Sequence, residues 1–109
     1  MTVKELSERF DCQIVCMPDG DRVISGGYVG DLLSWVISRA ASGNVWVTIM
    51  SNINIVAVAS LTDVACILLS ENVDLDDASI KDRAISQGIN ILKTPLDSFS
   101  ACSEISKLI

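Results

Sequence analysis

Between Asp21 and Asp31 the chain runs from a charged pair through glycines at Gly26, Gly27 and Gly30 to a second carboxylate. Glycines let backbone amides approach an anion, and Arg22 is the one cation beside them, suited to hold a phosphate or a partner carboxylate in a forked contact. The pattern departs from known phosphate loops, because no Lys-Ser/Thr pair follows and Gly-x-Gly-x-x-Gly is incomplete. The same residues also read as a structural turn, with Asp31 capping the helix behind it and Arg22 paired with Asp19, Asp21 or Asp31. Asn52 and Asn54 carry amides able to read a base or ribose, or to shape a turn and cap a helix. Asp21, Arg22, Gly26, Gly27, Gly30, Asn52 and Asn54 therefore form the candidate set for binding a small anionic ligand or a partner.

Catalytic chemistry has little to work with. Histidine is absent, and no serine or cysteine stands in a nucleophile motif with a base, so no catalytic residue is assigned and only an Asp, Lys or Tyr enzyme stays open. Asp74, Asp76 and Asp77 lack the spaced oxygens and closing Glu of a calcium loop and read as a solvated helix start. Cys12, Cys16, Cys66 and Cys102 contain no Cys-x-x-Cys pair, so no metal or cofactor is expected and the thiols read as reduced core residues.

A chain of 109 residues, half of them apolar, with a net charge of -6 fits one domain (1-109), acidic outside and with apolar surface to spare, which makes an oligomer plausible. The basic residues are scattered rather than striped, which argues against nucleic acid. The opening Met1-Thr2-Val3-Lys4-Glu5 has no signal-peptide core, and polar residues interrupt the apolar stretch from Val45 to Leu69. The expectation is a cytoplasmic protein with no membrane segment.

The elements that must position these residues can be read in turn. Thr2 and Glu5 fit a capping box opening a helix to about Phe10. Cys12–Cys16 reads as a strand, with Cys12 and Cys16 alternating with Ile14 on one face. A turn at 17–21 and a brief extended piece at Val23-Ile24 follow. Leu32, Leu33, Trp35, Val36 and Ile37 give the next helix a broad apolar face, ending at Ser42-Gly43-Asn44, with Trp35 and Trp46 as core or interface anchors. Val45–Met50 and Ala65–Leu69 read as interior strands joined by a helix over Ile55–Thr62. A helix behind Asp74–Asp77 stops at Gly88, Ile89–Leu92 is the last strand, and Thr94 with Pro95 starts a final helix to about Leu108. The alternation predicts an α/β fold: a three-layer, mainly parallel open sheet covered on both faces. Ligands in such sheets bind where loops leave the carboxyl ends of strands, and four segments are expected to gather there: Asp21–Asp31, Ser51–Asn54, Ser70–Asn72 and Lys93-Thr94.

From about Val3 to Ile105 the chain resembles the DRTGG domain family. The likeness rests on Asp21-Arg22 with Gly26-Gly27 and Gly30-Asp31, on Asn52-Ile53-Asn54, on Cys66-Ile67-Leu68-Leu69 and on Gly88-Ile89. DRTGG domains are similar to the N-terminal domain of HPr kinase/phosphorylase, which lacks the kinase active site, and they also sit between paired CBS domains of regulatory pyrophosphatases. The resemblance implies a non-catalytic, homodimeric regulatory or interaction module associated with a kinase or redox system, or alternatively a sensor of an adenine nucleotide or phosphometabolite.

Overall fold

Thr2 caps the first element. In the computed structural model, which describes residues Met1–Ile109, the Glu5 N–H donates to the Thr2 hydroxyl at 3.2 Å and the Thr2 N–H donates to the Glu5 carboxylate at 3.1 Å. This box starts α1, Val3–Ser7. The helix is shorter than expected, ending at Ser7 with Glu8 as its C-cap, and Phe10 and Asp11 turn the chain onward at positive φ angles of 30° and 58°. There follow β1 (Gln13–Cys16), β2 (Gly27–Val29), α2 (Leu33–Arg39), β3 (Val45–Thr48), α3 (Asn54–Thr62), β4 (Cys66–Leu69), α4 (Ala78–Gln87), β5 (Ile91–Lys93) and α5 (Ser98–Ser106).

The strands form one sheet in the order β1-β5-β4-β3-β2. β2 to β5 run parallel, and β1 is antiparallel to β5. Side chains alternate across it. Val45, Val47, Cys66, Leu68 and Leu92 pack beneath α1 and α5, with Leu6, Ala101 and Ile105. Trp46, Ile67, Leu69 and Ile91 pack beneath α2, α3 and α4, with Val36, Val56 and Ile80. The result is the expected three-layer α/β architecture. No helix is long and apolar enough to cross a membrane.

Several local expectations need correction. Gly27–Val29 is a strand, β2, inside what reads as a loop, while Val23 makes only an isolated bridge to Thr2. Asp31 does not cap α2: its Oδ1 accepts from Thr48 Oγ1 at 2.7 Å and from the Ile49 N–H at 3.0 Å, and α2 begins behind Leu32 with no side-chain cap. Thr94 and Pro95 precede α5 rather than begin it. Asp97 is the cap, accepting from the Ser100 N–H at 2.7 Å, while buried Thr94 donates to the Phe10 carbonyl at 3.2 Å.

Cys12 and Cys16 do not share a face. A bulge between Ile14 and Cys16 shifts the register against β5, so Cys16 joins the core under α2–α4 and Cys12 the core under α1 and α5. The apolar face of α2 is also narrower than expected, since only Val36 is fully buried. Trp46 is enclosed, but Trp35 is 50% exposed, with the Arg39 guanidinium 3.8 Å from its ring centroid.

Candidate functional site

The glycine segment divides between the two ends of the sheet. Because β2 runs through it, Asp21, Arg22 and Gly26 lie at the amino end of the parallel strands, and Gly30 and Asp31 lie at the carboxyl end with Asn52. The four segments expected to gather therefore do so only in part, and Gly27 is a residue of β2 itself.

At the amino end the chemistry is occupied. Arg22 Nη1 donates to Asp63 Oδ1 at 3.0 Å, while Nη2 donates to the Asp63 carbonyl at 2.9 Å and reaches Ser42 Oγ at 3.4 Å. Asp63, in the left-handed region at φ 58°, is the C-cap of α3. The bond from Arg22, joined by one from Ser42, holds the Asp63 carboxyl below its ordinary range, and Asp63 in turn raises Arg22. The salt bridge is thus made to Asp63 rather than to Asp19, Asp21 or Asp31. Asp21 is exposed.

The glycines also have structural duties. Gly26 has φ +69°, and a Cβ there would stand 3.3 Å from Asn44 Nδ2, which donates to the Ser25 carbonyl at 2.7 Å. A Cβ on Gly27 would meet the Val45 carbonyl at 3.3 Å. Asn52 closes a local turn by accepting from the Asn54 N–H at 2.9 Å. Asn54 lines a separate groove of about 640 Å³ between α3 and α4, facing Arg83 and Gln87.

The carboxyl end gathers the other segments. The Ser70 N–H donates to the Thr48 carbonyl at 3.2 Å, that of Asn72 to Thr94 at 3.0 Å, and that of Asp76 to Ser51 at 3.0 Å. Glu71 Oε2 accepts from the Ser98 N–H at 2.7 Å, placing a carboxylate at the positive end of α5. Beside β5 the Lys93 ammonium, mostly covered, pairs with the exposed Asp74 carboxylate. Together with Lys81, Asp77 and an apolar floor of Val15 and Leu75 they line a concavity of about 260 Å³. Lys93 is legible as the residue leaving the last strand. Lys81 is not, because it enters from α4 with no motif to mark it.

No three His, Cys, Asp or Glu side chains converge on a point where they could hold a metal ion. The four thiols are unpaired. Burial pushes Cys66 up to about 12 and Cys12 up to about 11, and raises Cys16 and Cys102 as well.

No family model matches this chain, and no curated protein does. Among solved structures it is similar to the CBS and DRTGG domains of the regulatory region of Clostridium perfringens pyrophosphatase, complexed with its activator diadenosine tetraphosphate, at 13% identity and a TM-score of 0.74. The likeness covers 94% of this chain, which spans 44% of the other. At that identity what is shown is the fold, a DRTGG-like α/β fold.

Proposed function

We propose that this chain is a non-catalytic regulatory module of the DRTGG type, acting in the cytoplasm as a homodimer that docks on a partner protein such as a kinase or redox complex. The observation that carries the reading is the likeness, along nearly the whole chain, to a regulatory region rather than to a catalytic domain. The occupied state of Arg22 and the turn duties of Gly26 and Asn52 support assembly over ligand capture at the glycine segment. Gly27, which opens the edge strand β2, and Gly30, which follows it, then belong to the partner surface.

A second reading is a sensor of a small adenine nucleotide. It is favoured by the ligand of the pyrophosphatase region and by the concavity in which Lys81 and Lys93 stand over apolar side chains. One experiment separates the two: calorimetric titration with AMP, ADP, ATP and diadenosine tetraphosphate, paired with light scattering for mass. A dimer giving no heat upholds the assembly module. Saturable heat that a Lys81→Ala/Lys93→Ala double variant abolishes establishes the sensor instead, and a monomer giving no heat overturns both.

A further inference from the structure

The sheet has two outer edges, and they differ. β1 is interrupted by its bulge between Ile14 and Cys16 and is followed by Pro18, two features that blunt an edge against pairing. β2 has neither, and no charged residue stands between Arg22 and Asp31. On a chain with a net charge of -6, this uncharged strip is a place where two copies can meet without opposing carboxylates.

The backbone supplies the register. Gly26 C=O accepts from the Val45 N–H at 3.1 Å, and the Gly30 N–H donates to Val47 C=O at 3.1 Å. By the alternation of a parallel ladder, Gly27 and Val29 turn their own N–H and C=O groups outward. Two such edges related by a two-fold axis through Tyr28 would set Gly27 opposite the partner's Val29 on both sides of the axis. Each of those pairs exchanges two hydrogen bonds.

The side chains fit the same register. Val29 is 52% exposed, and the sheet face above Gly27 holds a groove of about 230 Å³ walled by Val45, Val47, Cys102, Ile105 and Ile109. Gly27 brings no side chain to that groove, so the partner's Val29 enters where Gly27 leaves room. A stable dimer buries about 800 Å² per partner. The groove and the flanking helices α2 and α5 add to what so short a strand can bury.

We infer that a second copy of this chain docks antiparallel along β2, making one continuous sheet across the two-fold axis, with Val29 of each copy seated over Gly27 of the other. The inference rests on the homodimer reading and names its surface. The test is sedimentation across a concentration series of the wild type, Val29→Lys and, on the opposite edge, Ile14→Lys, whose side chain is equally exposed. The expected result is a wild-type dimer whose dissociation constant rises about tenfold or more in Val29→Lys and is unchanged in Ile14→Lys. A dimer indifferent to Val29→Lys overturns the surface and leaves the homodimer standing, and a wild-type monomer overturns both. If Val29→Lys fails to fold, amide exchange on the wild type decides: protection of Gly27 and Val29 that grows with concentration upholds the pairing, and its absence in a dimer sinks it.

Discussion

Arg22 donates in two directions at once, to the Asp63 carboxylate and to the Asp63 carbonyl, and so ties the segment before β2 to the end of α3. A guanidinium held this way has few donors left for a ligand. Arg22→Ala should therefore leave nucleotide titrations unchanged and lower the melting temperature by about 4 °C or less, as expected for a solvent-screened pair with a partly covered arginine and an exposed carboxylate. A ligand response that vanishes in Arg22→Ala would return the arginine to the binding site. The carboxylate adds a pH signature. Its folded pKa lies below the unfolded one, so its contribution is present above the unfolded pKa and disappears as pH falls through the folded value. Asp63→Asn should accordingly cost stability at neutral pH and progressively less toward strong acid, measured by urea denaturation at each pH. The cation and the glycines of this segment were legible in sequence. Their partner was not, because Asp63 lies forty-one residues away and carries no local pattern.

Elements with their own chemical punctuation could be read directly: the Thr2–Glu5 box opens α1, and Gly88 ends α4 at φ 73°. β2 could not, since a short strand between Gly26 and Gly30 offers too little periodicity to compete with the turn signal of its glycines. Its place is settled by pairing with β3, a contact between distant segments. Gly26 and Gly88 then make a controlled comparison, because both have positive φ but a Cβ meets Asn44 at 3.3 Å only at Gly26. Gly88→Ala should cost about 1 kcal/mol from backbone conformation alone. Gly26→Ala should cost more by denaturant unfolding, and equal losses would show that the Asn44 contact is inconsequential. The Asp31 misreading has a similar origin. A carboxylate just before a helical stretch looks like a cap, yet here it closes the turn after β3, and Asp31→Ala should cost about 1–2 kcal/mol by freeing the Thr48 hydroxyl and the Ile49 N–H.

At the scale of the whole molecule, two cores on opposite faces of one sheet explain why the alternation of apolar strands and helices was enough to anticipate the layers. The short edge strand β2, the antiparallel β1 and the bulge that splits Cys12 from Cys16 needed the three-dimensional register. The same burial governs the thiols. Cys66 is fully enclosed and Cys12 largely so, and with their pKa values pushed up to about 12 and about 11 the folded chain keeps protons that the unfolded chain surrenders from about pH 9 upward. Stability should thus be unaffected by these groups below about pH 8 and should fall as pH rises through the interval between the unfolded and folded values. Cys66→Ala removes that alkaline loss at a cavity cost at neutral pH, so its denaturation midpoints should start lower than wild type and converge with it as the solution becomes alkaline. Parallel curves at every pH would mean that Cys66 meets water in the folded state, and the packing of β4 beneath α1 and α5 would have to be redrawn.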